Sequence, residues 1–150
     1  MKKSGSRHVA REYALRVLFG QEILRASGED SPLPPTPNWW EGEDNLSVMP
    51  EAEKYAKTIF QGIPAELERV DAIIAQHSKN WRIQRMGLVD RNILRLSIHE
   101  FLFNTETAPR IILDEALELA KCYGNKDSVR FINGILDSVL RDLADPTASE

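Results

Sequence analysis

Sulfur chemistry is nearly absent from this chain. One cysteine, Cys122, in 150 residues excludes an internal disulfide and fits a reducing compartment. Histidine is as scarce: His8, His77 and His99 stand far apart, so no zinc-binding spacing arises. The His99-Glu100 pair lacks the second histidine of a metalloprotease helix, and no glycine-rich run precedes Lys-Ser or Lys-Thr to cradle a phosphate. The Glu-x-x-His repeats of a di-iron bundle are missing as well. No apolar run approaches the ~18 residues of a membrane span. The basic start MKKSGSRHVARE is not followed by a signal-type apolar block. Asp114, Glu115 and Glu118 look like paired carboxylates but read better as helix-dipole partners. No nucleophile, base and orienter assemble. These absences lead to the expectation of a soluble, cytoplasmic binding protein, not an enzyme, with no metal, cofactor or membrane association.

What is present is helical periodicity, strongest in Leu88–Phe103, LVDRNILRLSIHEFLF. Val89, Ile93 and Leu96 fall on one side of a helix and Leu94, Ile98 and Phe101 on another. Only Arg91, Arg95 and His99, spaced four apart, make a continuous polar strip. A helix apolar over so much of its circumference is normally buried between other helices. Glu100 projects into the apolar arc and needs a donor there, an arginine or the unpaired amides of a neighbouring helix start.

The remaining pattern predicts an all-α domain of 150 residues. A first helix spans 6–26, with Ala10, Ala14, Val17, Leu18 and Leu24 inward. Residues 27–49 hold four prolines between Pro32 and Pro37 and the pair Trp39-Trp40, which favours a surface loop. One of those tryptophans either pins the loop to the body or serves as a stacking anchor. Pro50 opens a second helix, with Tyr55, Ile59 and Ile63 on one stripe. Gly62 and Pro64 interrupt it, and a third helix follows over 64–78. After a connector through Trp81 and Met86 comes the central helix. Pro109 opens a fifth helix, which Gly124 ends as a left-handed stop. Asp127 or Ser128 caps the sixth, whose inner face is Ile132, Ile135, Leu136, Val139, Leu140 and Leu143. The tail from Asp145 frays.

Two features stand off this core. Net charge is −4, yet residues 1–16 set Lys2, Lys3, Arg7, Arg11 and Arg16 against Glu12 alone, a basic arm on an acidic body. Arg7 and Arg11 lie one turn apart beside His8, at a helix start whose amides are unpaired. That is either a phosphate site or a solvated basic end. On the last helix, Phe131 lies at the edge of the apolar stripe, with Asp127 one turn earlier on the same flank, Ser138 two turns later and Gly134 adjacent. It is either a docking residue or a cover for a helix seam.

Four stretches in order, AREYALRVLF (10–19), VDRNILRLSIHEF (89–101), APRIILDEALELAKCYG (108–124) and DSVRFINGILDSV (127–139), resemble the NusB family of bacterial transcription antitermination and ribosomal-RNA-processing factors. The resemblance implies a helical fold of two small bundles sharing a core around the central helix. It also implies binding of boxA-type RNA together with NusE, the small-subunit ribosomal protein, within the RNA polymerase antitermination complex. Arg7, His8 and Arg11 match the family's RNA-contacting N-terminus, and Phe19 an aromatic of that surface. His8 and Val9 stand where arginines are usual. Asp90, Asp127 and Phe131 match the family's partner face. A homodimer of the free protein stays open on this reading. Two alternatives belong to other classes. One is the RNA-binding extension of a ribosomal-RNA cytosine methyltransferase, which needs a cofactor-binding α/β domain for which residues 1–150 hold no pattern. The other is a protein-only helical adaptor.

Overall fold

The computed structural model describes residues 6–26, 50–78 and 82–144. The expectations for loop 27–49, for Trp81 and for the tail from Asp145 fall outside them. The described residues form five α-helices: α1 (Ser6–Ala26), α2 (Pro50–His77), α3 (Leu88–Phe103), α4 (Pro109–Tyr123) and α5 (Ser128–Ala144), with a 3-10 turn at Ile83–Arg85. No strand occurs among them, so the all-α expectation holds. None of these helices is long and apolar enough to cross a membrane. The chain divides into two compact units, Met1–Ala65 and Glu66–Glu150.

The expected break between a second and a third helix is present, two residues past Pro64. α2 runs through Pro64, and its backbone leaves helical geometry at Glu66 (φ −116°, ψ 15°). Proline removes one hydrogen bond and crowds the preceding turn, but its own φ suits the first turn of a helix. The helix therefore kinks and resumes.

In the first unit, Ala10, Ala14, Val17 and Leu18 of α1 are buried as the stripe predicts, and so are Val9, Tyr13 and Leu15. On α2, Ala52, Ala56, Ile59 and Ile63 are buried. In the second unit α3, α4 and α5 pack against one another. Burial on α3 spans its circumference, with Ile93 and Leu96 on one side and Leu94 and Ile98 on another. Two buried polar residues on this helix are satisfied locally. Asn92 donates to the Leu88 carbonyl at 2.8 Å and the Ser97 hydroxyl to that of Ile93 at 2.8 Å, which suits side chains that return to the preceding turn. Glu100 is 3% exposed, and the Asn104 carboxamide donates to its Oε1 at 3.4 Å. The same asparagine accepts from the amides of Glu106 and Thr107, each at 3.2 Å, and so shapes the turn into α4.

The polar strip of α3 is covered, not solvated. Arg95 holds Asp71 of α2 through two hydrogen bonds, Nε at 2.8 Å and Nη2 at 2.9 Å. Arg91 donates to the Ile83 carbonyl at 3.0 Å. His99 is buried against the Phe103 ring. At the far end, His77 of α2 meets the Ser138 hydroxyl at 2.7 Å through Nδ1 and Asp142 at 3.0 Å through Nε2. Two details depart from the periodicity. Leu143 is 46% exposed because it lies in the last turn of α5. Gly124 follows α4 with φ −91° and ψ −174°, which is extended backbone and not a left-handed stop.

Ile93 is fully enclosed, so Ile93→Ala should cost about 2–5 kcal/mol, read as a lower midpoint in reversible chemical unfolding. A loss below about 1 kcal/mol would show that α3 is not the core helix of its unit.

Candidate partner and nucleic-acid surfaces

Asp90, Asp127 and Phe131 are far apart in sequence, and the second unit brings them into one groove of about 490 Å³. One wall is the connector ahead of α3 with Arg85 and Met86, continued by Asp90 in the first turn of that helix. The opposite wall is the turn between α4 and α5 and the first turn of α5, which contribute Asp127, Arg130 and Phe131. Phe131 is half-buried, whereas Ile132 beside it is wholly enclosed. The aromatic therefore stands at the rim of the core with one face in the groove. Ser138 does not share this surface; it is taken by His77. Gly134 does not line it either.

Each wall is held by identifiable bonds. Arg91 reaches back to the Ile83 carbonyl, and its own amide bonds the Gly87 carbonyl at 3.0 Å, so the connector is tied to α3 at both ends. Across the groove, the Asn125 side-chain oxygen accepts from the Asp127 amide at 2.8 Å, and the Ser128 hydroxyl accepts from the Asn125 amide at 2.9 Å. The turn that leads into α5 is thus held by Asn125 and Ser128. The Asp127 carboxylate takes no part in it and stays available in the groove. Gly124 is required by proximity: a Cβ there would run into the Ser128 side chain and lie 2.8 Å from the Ala120 carbonyl.

The first unit presents a different chemistry. At about 100° per residue, His8, Glu12, Arg16, Phe19 and Ile23 share one sector of α1. This is also where the helix is accessible, with Arg16 and Ile23 exposed and the other three half-buried. His8 lies 3.4 Å from Glu12, and the Arg16 guanidinium stands 5.3 Å from the centre of the Tyr13 ring. Arg11 departs from the picture of a solvated basic end. It falls in the same sector as Ala14 and Leu18 and is only 3% exposed. Its guanidinium and that of Arg7 both lie over Tyr55, at 5.6 Å and 4.9 Å from the ring centre. The shared face of Arg7 and Arg11 is real, but the ring of α2 occupies it, and Arg7 is the more accessible of the two.

Sequence reasoning missed Arg85, Met86 and Arg130 in the groove and Arg16 on α1. Arg16 was signalled by its spacing of eight from His8, and Arg130 by standing three residues after Asp127. Arg85 carried no periodic signal, since the connector has no period.

Ser138, His77 and Asp142 also make a serine–histidine–carboxylate chain. With Nε2 protonated and donating to Asp142, Nδ1 accepts from the serine hydroxyl. Ser138 lies inside α5, where backbone amides are committed to the helix and cannot form an oxyanion hole. The chain therefore reads as a clamp joining α2 to α5. Among the described residues, no group of three His, Cys, Asp or Glu could hold a metal ion.

The model of the NusB family matches residues 8–141. The transcription antitermination protein NusB of Sorangium cellulosum (strain So ce56) is 40% identical over 139 residues, covering 93% of this chain and 94% of that protein. The solved NusB of T. maritima is 32% identical with a TM-score of 0.78, over 95% of this chain and 94% of the other. A chain from a crystal structure of antitermination factors NusB and NusE in complex with double-stranded RNA is 28% identical with a TM-score of 0.72, over 91% of this chain and 96% of that one.

Gly124→Ala should force the α4–α5 turn to move and cost about 1–3 kcal/mol, measured by chemical unfolding. Stability equal to the parent would mean that the close approach of Gly124 and Ser128 is not a constraint.

Proposed function

The chain belongs to the NusB family, and from that premise we propose that it is a transcription antitermination factor that binds boxA-type RNA jointly with the small-subunit ribosomal protein NusE. Its role is to support transcription and processing of ribosomal RNA within the RNA polymerase antitermination complex. The observation that carries the reading is the convergence of Asp90, Asp127 and Phe131 on one groove, since these are the positions the family resemblance assigns to the partner. The related structure that contains NusE and RNA supports the same pairing of ligands.

The mechanism is assembly, not catalysis. α1 supplies the RNA side. Arg7, half-buried over the Tyr55 ring, offers a cation to phosphate, while His8 and Phe19 on the accessible strip meet exposed bases by hydrogen bonding and stacking. Arg11 belongs to this surface as its buried member, holding Tyr55 and through it the position of Arg7. The groove of the second unit takes the protein partner, with Phe131 as its aromatic anchor. A partner that brings its own RNA contacts turns the second binding event into an intramolecular one, so the heterodimer binds RNA more tightly than either subunit alone.

A salt series of boxA-type RNA binding, with and without NusE, tests this directly. Affinity should fall with salt and should rise when NusE is added. Salt-independent affinity, or no gain from NusE, would overturn the proposal. Within the same series, Arg7→Ala should flatten the slope of log affinity against log salt by roughly 0.7 for the loss of one single-strand phosphate contact. Arg11→Ala should act chiefly on folding stability, because its guanidinium is enclosed.

A further inference from the structure

The groove holds four ionised side chains: Arg85 and Asp90 on one wall, Asp127 and Arg130 on the other. Opposite charges so close in sequence usually pair within the protein. Asp127 and Arg130 even have the three-residue spacing at which helical ion pairs form. Among the described residues, however, none of these four side chains takes a hydrogen bond or an ion pair. Elsewhere in the same unit, charges do pair, as Arg95 does with Asp71 and Arg141 with Asp137. The groove is therefore a place where two positive and two negative groups are left to solvent around an apolar floor of Met86 and Phe131.

We propose that this groove is a socket for a partner segment of mixed charge. On this account Arg85 and Arg130 are specificity-determining residues that clamp a carboxylate of the partner. Asp90 and Asp127 receive its basic group, while an apolar side chain between them packs on Phe131. The inference rests on the groove being the NusE site and adds the chemistry that the segment must carry. Arginine suits the task because its planar fork matches a carboxylate with two parallel bonds. An uncharged apolar segment would leave all four ions desolvated without partners and would be rejected on that ground. A purely basic segment would satisfy the aspartates but leave the two guanidinium groups unpaired.

The test compares the full-length chain with the double variant Arg85→Gln/Arg130→Gln and with Phe131→Ala. Folding is checked by unfolding midpoint, and each protein is titrated with purified NusE and, separately, with boxA-type RNA. Both arginines are exposed, so their replacement leaves the fold intact. The double variant should bind NusE roughly tenfold or more weakly at low salt. It should approach the parent near 1 M salt, where screening shortens to about 3 Å. Phe131→Ala should remain weak at both. If Phe131→Ala weakens NusE binding while the double arginine variant binds as the parent does, the clamp is wrong and the groove assignment stands. If Phe131→Ala also binds as the parent, the groove is not the partner site, and both readings fall. If the arginine variant loses affinity for RNA alone and keeps it for NusE, the two arginines are phosphate contacts and the clamp is again overturned.

Discussion

Two guanidinium groups on one helix hold the second unit in register. Arg95 grips Asp71 with both of its parallel donors, and Arg91, one turn earlier, donates to the Ile83 carbonyl. Their helix is apolar on its other faces and enclosed, so it cannot rotate without exposing Ile93 or Leu94 to water. The strip that faces neither hydrophobic arc must still find partners, because a partly buried cation without a counterpart is strongly destabilising. It finds α2 on one side and the connector on the other. The apolar arcs therefore fix which way α3 faces, and the two arginines fix what lies along its remaining side.

The groove follows from that arrangement. The connector pinned by Arg91 places Arg85 and Met86, and the start of α3 places Asp90. α5, packed on α3, brings its N-terminus opposite. Asn125 and Ser128 hold the turn before α5, and the Asp127 carboxylate takes no part in those bonds. Phe131 is one position from Ile132, which is wholly enclosed, and that single step of about 100° around the helix separates a core side chain from a groove side chain.

Much of this was legible from periodicity. The bounds of α1, α3 and α4 follow from apolar spacing with Pro109 as a start signal, and the edge position of Phe131 follows from the angle alone. What periodicity does not carry is partner identity across the chain. The pairing of Arg95 with Asp71, the clamp of His77 on Ser138 and Asp142, and the stacking of Arg11 on Tyr55 are tertiary events between helices whose packing the sequence does not reveal. A strip of charges on a wheel diagram looks solvated, and only the fold shows that α3 meets its strip with acceptors. Gly124 illustrates the same limit. A glycine after a helix suggests a left-handed stop, yet here the residue is extended and is kept small by the side chain of Ser128. Pro64 suggested a helix boundary, and the backbone does leave helical geometry two residues on, at Glu66.

On the proposed function, RNA would be met by α1 and the protein partner by the groove of the second unit. Backbone amide resonances of the labelled chain, followed during separate titrations with boxA-type RNA and with NusE, test that division most directly. RNA alone should perturb residues 7–19 and leave 85–90 and 125–131 near their free positions, and NusE alone should do the reverse. Perturbation of the groove by RNA alone, or of α1 and not the groove by NusE, would contradict it.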